Sequence, residues 1–203
     1  MVSLHVPHDV IETNDQRRDG FPFRSGSIVL DFVATIAKRD LADRELLTGP
    51  DDLARWVHVA GLPVLEKPAS HTDVTYAREL REAIHRVVRS RVDDSPAAAA
   101  DLESINGAAR GTPPTALLDT AGYATVFAEP VDAPAITALL AREAIELFSG
   151  RYAHRIRLCR GHDCSLYFVD RSRPGNRVWC SMGVCGAKQS SARYRARSRL
   201  VER

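Results

Sequence analysis

The sequence predicts a mainly α-helical protein of the α+β class. A helical N-terminal domain with one small β-hairpin should be followed by a compact cysteine-bearing module. Three observations carry this expectation. Apolar residues recur at three- and four-residue spacing through most of the first 150 positions. That period shortens once, between residues 115 and 130. All four cysteines lie beyond residue 150, as two pairs of identical spacing.

Taken in order, "SGSIVLDFVATIAKRD" sets Ile28, Val29, Phe32, Val33 and Ile36 at helical spacing. "TGPDDLARWVHVAGLP" opens with a proline and two aspartates in a first turn and stops at Gly61 and Pro63. "HTDVTYARELREAIHRVVRSRV" repeats apolar residues at Val74, Ala77, Leu80, Ile84, Val87 and Val88, the longest amphipathic pattern in the chain. "SPAAAADLESINGAAR" offers Ser95 as a cap and Pro96 as the first helical residue. "TALLDTAGYATVFAEP" reads as a β-hairpin turning at Ala121-Gly122. "DAPAITALLAREAIELFSG" returns to helix and ends at Gly150.

With 44% hydrophobic and 27% charged residues, the chain reads as a globular protein. No apolar run approaches the roughly 20 residues that span a bilayer, and the start lacks a secretory pattern, so a cytoplasmic location without membrane contact is expected. The net charge of +2 conceals an asymmetry. Residues 151–203 hold 13 Lys/Arg against three acids, a balance of +10, whereas residues 1–150 stand at −8. The division suggests two domains, 1–150 and 151–203, and a polyanionic partner for the second. Twelve of its 13 cations are arginine, which favours planar contacts with phosphate or base edges over simple solvation.

Phosphate loops, dinucleotide fingerprints, nucleophile elbows and HExxH are absent from the sequence, so an enzyme is not expected. His58 and His85 sit in helical patterns and read as structural. Asp31 interrupts the apolar run "IVLDFVAT". It lies on a wet helix face or is buried with a partner, and its roles are structural or the lining of a ligand pocket.

Cys159 and Cys164 form one C-x4-C pair, Cys180 and Cys185 another, with fifteen residues between them. In a reducing compartment such pairs serve better as metal ligands than as disulfides, with free or redox thiols as the alternative. Two chelating loops can supply the four soft ligands that tetrahedral zinc requires, giving one closed structural Zn2+ site. A 53-residue segment has little core of its own, and a metal would supply the missing free energy. Between the pairs, "SLYFVDRSRPGNRVW" reads as strand, turn and return strand ending at Trp179, and the sequence after Cys185 suits a helix. Knuckle, hairpin and helix together make a treble-clef-like finger. His162, inside the first loop, reads as a bystander. Tyr167, Phe168 and Trp179 read as packing around the metal, or as stacking platforms for single strands.

These motifs resemble the bacterial CGNR zinc-finger proteins, which carry an N-terminal ABATE domain and look like stress-related transcription regulators. The likeness is strongest in "RLCRGHDCSLYFVDRSRPGNRVWCSMGVCG" and weaker in "FPFRSGSIVLDFVAT" and "ELLTGPDDLARWVHVAGL". The resemblance implies zinc at Cys159, Cys164, Cys180 and Cys185, and DNA binding through the finger. Two motifs depart from it. The namesake C-G-N-R reads Cys185-Gly186-Ala187-Lys188, and an LDFVNT pattern reads Leu30-Asp31-Phe32-Val33-Ala34-Thr35. Arginine to lysine keeps the charge and loses the bidentate fork.

At about 100° per residue, Lys188, Arg195 and Arg199 share one face of the terminal helix, and Arg193 and Arg197 another. Arg171, Arg173 and Arg177 lie in the turn beside the cysteines. Two basic elements fixed by one metal would track duplex phosphates. The sequence therefore points to a DNA-binding regulator whose helical domain senses a small-molecule effector or pairs protomers, a homodimer being expected from paired half-sites. The alternatives are a zinc-stabilised protein- or RNA-interaction module, and a small-molecule enzyme with a purely structural finger.

Overall fold

A computed structural model describes residues 17–191. Five helices form the body: α1 (Ile28–Val33), α2 (Pro50–Val59), α3 (His71–Val92), α4 (Ala99–Ala109) and α5 (Ala133–Ser149). Four antiparallel two-stranded ladders decorate it: β1 (Arg17–Arg18) with β2 (Phe21–Pro22), β3 (Ile36–Ala37) with β4 (Arg44–Glu45), β5 (Ala116–Leu118) with β6 (Thr125–Phe127), and β7 (Ile156–Leu158) with β8 (Tyr167–Val169). The architecture is mainly α within α+β, as the sequence predicts. Among the described residues, no helix is long and apolar enough to cross a membrane.

The long amphipathic stretch becomes α3, the element on which the others pack: α1, α2, α4, α5 and β7 all contact it. Its start is fixed by a reciprocal cap. The Ser70 hydroxyl accepts from the Asp73 N–H at 3.1 Å, and the Asp73 carboxylate accepts from the Ser70 N–H at 2.8 Å. Val74, Ala77, Leu80, Ile84, Val87 and Val88 are all buried. The large ones each contribute roughly 1.5–3 kcal/mol of apolar burial. Helix α5 begins with the Asp132 carboxylate accepting from the Ala135 N–H and ends against Gly150. A Cβ at Gly150 would stand 2.6 Å from the Glu146 carbonyl oxygen, so only glycine fits that stop.

Three local readings need correction. Helix α1 ends at Val33, and Ile36 pairs with Glu45 in a ladder instead of continuing the helix. The Thr35 hydroxyl donates to the Phe32 carbonyl and accepts from the buried Arg81, which draws the chain out of helix. Helix α4 starts at Ala99 with Ala98 as its cap. Ser95 instead turns its N–H and hydroxyl to the Ser90 carbonyl and closes the end of α3. In the C-terminal part, β8 pairs with β7, upstream of the first cysteine, and not with the segment leading to Trp179. That segment bonds back through the Val178 carbonyl, which accepts from the Arg160 N–H at 3.0 Å.

The core does not stop where the charge balance changes. Ile156, Tyr167 and Val169 belong to the same apolar cluster as the faces of α1, α2, α3 and α5. Phe168, between them in sequence, packs with Ala34, Leu166 and three cysteines in a second cluster. The alternation of a strand thus sets one face of β8 against the helices and the other against the cysteines.

Candidate metal centre and basic surface

The β7–β8 ladder closes the first cysteine loop, and the Cys159 N–H donates to the Leu166 carbonyl at 2.9 Å to continue it. The second loop is a π-helical turn, Met182–Gly186, capped by the Ser181 hydroxyl, with helical backbone continuing over 187–191. Together they bring the four Sγ atoms within 4.8 Å of one another. Cys180 Sγ lies 3.7 Å from both Cys164 Sγ and Cys185 Sγ. Tetrahedral zinc with bonds of about 2.3 Å sets its ligands about 3.8 Å apart, which these spacings match. Two backbone N–H groups, of Gly161 and Cys180, donate to Cys159 Sγ at 3.4 and 3.3 Å and favour its thiolate.

The thiols cannot all ionise without a cation between them. Hydrogen bonds from Cys164 and Cys180 hold Cys159 down at about 2. Sharing its proton with Cys159 pushes Cys164 up to about 12, and Cys180 moves upward for the same reason. A divalent ion removes this conflict. His162 stands apart, its side chain exposed and 3.0 Å from Asp163.

The turn after β8 is organised by Asp170, a residue the sequence reading passed over. Its carboxylate accepts from the Ser172 N–H, the Ser172 hydroxyl and the Arg177 N–H at 3.0, 2.6 and 2.9 Å. Burial opposes its ionisation most, but those hydrogen bonds outweigh it and hold the carboxyl below its ordinary value. Its only advance signal is the Asp-x-Ser spacing typical of such turns. Arg155 donates to the Ser172 carbonyl at 2.7 Å and lies 3.1 Å from where a Gly175 Cβ would stand.

The basic residues of this turn fall into two groups. Arg171 and Arg173 are exposed, whereas Arg177 turns inward. Its guanidinium donates to the Trp179 carbonyl at 2.7 Å and to that of Cys180, and stacks 4.9 Å from the Phe168 ring. Arg177 thus braces the second cysteine loop. Arg171 and Arg151 share one ring, at 5.3 and 4.6 Å from the Tyr152 centroid. Lys188 is exposed on the helical segment after Cys185. Arg193, Arg195, Arg197 and Arg199 lie outside the described residues. Tyr167 and Phe168 are buried, so neither offers a face to a base, and Trp179 is half-buried.

Asp31 is buried with partners. Its carboxylate accepts from the N–H groups of Arg24 and Ser25, both at 3.1 Å, and the Ser25 carbonyl accepts from Val169 at 2.8 Å. Asp31 thereby connects α1 to β8. Burial pushes its carboxyl from 3.8 up to about 7. A groove of about 220 Å3 lies elsewhere, between α3 and α4, beside Tyr76, Glu79 and Glu103.

Sequence profiles of two families match in the order the motifs predict. Residues 26–151 match ABATE, described as "Putative stress-induced transcription regulator". The chain belongs to the ABATE family. Residues 155–198 match the CGNR zinc finger, and this ABATE protein holds one structural Zn2+ at Cys159, Cys164, Cys180 and Cys185. No curated protein matches the chain. Neither family description names an enzymatic activity. Of the two departures from the family pattern, Ala34 packs among the cysteines while Ala187 is exposed.

Proposed function

We propose that this ABATE protein is a zinc-dependent transcription regulator. In this reading its finger, within residues 151–203, contacts double-stranded DNA. The helical region, within residues 1–150, senses a small-molecule effector or pairs protomers. The observation that carries the proposal is the unequal treatment of arginine along the chain. In the helical region Arg39, Arg55, Arg78, Arg81, Arg86, Arg89 and Arg110 each have a carboxylate within 4 Å, while Arg18, Arg44, Arg91 and Arg142 do not. Among the described residues of the finger, Arg151, Arg157, Arg160, Arg171 and Arg173 have none. Arg151 and Arg171 are even drawn together on Tyr152. Clustered unneutralised guanidinium groups repel one another, and a phosphate backbone relieves that repulsion. Burial of Tyr167 and Phe168 weighs against a single-strand reading, which needs exposed stacking faces.

The test is binding of the zinc-loaded chain to fragments of its own genome, titrated with salt against non-specific duplex. The expected result is one fragment retained over competitor, with a log–log salt slope of roughly −0.9 per phosphate contact. Arg171→Ala and Arg151→Ala should each flatten that slope by about one contact, while Arg177→Ala should act on zinc retention instead. Equal, fully salt-labile binding to every duplex would overturn the regulator reading.

A further inference from the structure

The four cysteines of the zinc site are not equally covered. Cys159, Cys180 and Cys185 are buried at 4%, 1% and 6% exposure, whereas Cys164 is only partly buried. The path of the chain explains the difference. Cys159 continues the β7–β8 ladder and receives the N–H groups of Gly161 and Cys180. Gly161 also sits against Cys185, since a Cβ there would stand 3.1 Å from the Cys185 Sγ. Cys164 instead follows His162 and Asp163, whose side chains are 91% and 69% exposed, in the open part of the first loop.

Access and neighbours together decide how such sulfurs react. As zinc ligands the cysteines are thiolates, and the thiolate is the form that attacks an oxidant. The two N–H groups on Cys159 stabilise its negative charge and so lower its nucleophilicity. Beside Cys164 stands a second sulfur, because Cys180 Sγ reaches across from the other loop to 3.7 Å. An accessible thiolate with another thiolate in contact is the arrangement of a cysteine that oxidises reversibly.

We infer that Cys164 is an oxidation site, at which peroxide converts the finger to a disulfide-linked, metal-free form. The Cys164 thiolate attacks one oxygen of hydrogen peroxide. The S–O bond forms, the O–O bond breaks and hydroxide leaves, so the sulfur loses two electrons and becomes a sulfenic acid. The Cys180 thiolate then attacks the Cys164 sulfur. An S–S bond closes the 3.7 Å gap to about 2.05 Å, the S–O bond breaks and a second hydroxide leaves. Two thiolates and one peroxide thus give one disulfide and two hydroxides. Cys159 and Cys185 remain, two ligands where structural zinc takes four, and the ion is lost. Cys185 leads directly into the helical segment that carries Lys188, so that segment loses its anchor. A thiol reductant that attacks the disulfide restores the four ligands.

This inference rests on the zinc site and not on DNA binding, and its test contains no DNA. The zinc-loaded full chain is treated with hydrogen peroxide while a chromogenic chelator follows zinc release. In a parallel sample dimedone traps sulfenic acid, and peptide mass spectrometry locates the adduct and any disulfide. The first adduct should fall on Cys164 and the first disulfide should join Cys164 to Cys180. One zinc should leave per disulfide, and dithiothreitol should restore zinc binding. Cys164→His keeps a zinc ligand that forms no sulfenic acid, and should slow release roughly 10-fold. Met182→Leu removes the 63% exposed thioether of the second loop and should leave the rate unchanged. A first adduct on another cysteine, or a first disulfide within either C-x4-C pair, would overturn the inference. So would release that disappears with Met182, or zinc retained through millimolar peroxide. The mapping on the wild-type chain decides by itself if the Cys164→His protein does not hold zinc. DNA binding that fails while this oxidation proceeds would remove the regulator reading and leave this one standing.

Discussion

Replacing Asp31 by asparagine should change how the stability of the protein depends on pH. The Asp31 side chain is 7% exposed, and burial is the largest influence on its carboxyl, which rises from 3.8 to about 7. Between those values the folded protein keeps a proton that the unfolded chain has released. Each pH unit upward in that window therefore destabilises the fold by about 1.4 kcal/mol, for a total of about 4 kcal/mol. His85 acts in the opposite sense. Burial lowers its imidazole from 6.5 to about 4, so the unfolded chain takes up a proton there that the folded one refuses. Stability from that source rises with pH between about 4 and 6.5, and the two slopes oppose each other in the wild-type protein. The Asp31→Asn protein lacks the first slope and keeps the second. Denaturant unfolding of both zinc-loaded proteins at matched pH values isolates Asp31 as their difference. From pH 5.5 to 7 the wild type should lose about 2 kcal/mol relative to the variant. Parallel stability curves over that range would refute a buried, proton-holding Asp31.

Other outcomes follow from the same geometry. Gly161→Ala should weaken zinc retention roughly 10-fold in a competition with a chromogenic chelator. Its Cβ would stand 3.1 Å from Cys185 Sγ, tighter than ordinary contact. Removing zinc with a chelator should lower the thermal midpoint of the whole chain in one transition, since β8 contributes to both apolar clusters. A helical transition unmoved by the chelator would contradict that coupling. Arg81→Met should cost about 3 kcal/mol in denaturant unfolding, because Arg81 is 2% exposed and holds Glu45 with two bonds of 2.7 Å.

What the sequence made legible was the chemistry that repeats or pairs. The α3 pattern carries its own period, the β5–β6 hairpin carries its own turn, and two equal cysteine spacings announce a metal. What escaped was decided by partners distant in sequence. Helix α1 stops early because Thr35 is claimed by Arg81, 46 positions away, and no window around Thr35 contains that information. Strand β8 has an apolar, strand-like sequence, yet its partner is chosen by the loop that the first two cysteines close. Arginine was the least legible residue. Arg171, Arg173 and Arg177 look alike in a string, and only the folded turn shows that Arg177 holds carbonyl groups while the other two face solvent. Asp31 was legible as an anomaly, because a carboxylate in an apolar run must answer to something. That it answers to the Arg24 and Ser25 amides was not.

Strand β8 has a consequence for anyone who would treat the finger as a cassette. Two of its three side chains fill a space that the helices leave open, and the third closes the metal side. Cut at Gly150, the helical part would keep a socket shaped for Tyr167 and Val169 and nothing to put in it. A finger transplanted from a relative would graft only if it brought side chains of matching volume at those two positions. A change of volume at either position therefore calls for a compensating change in the helices that receive it.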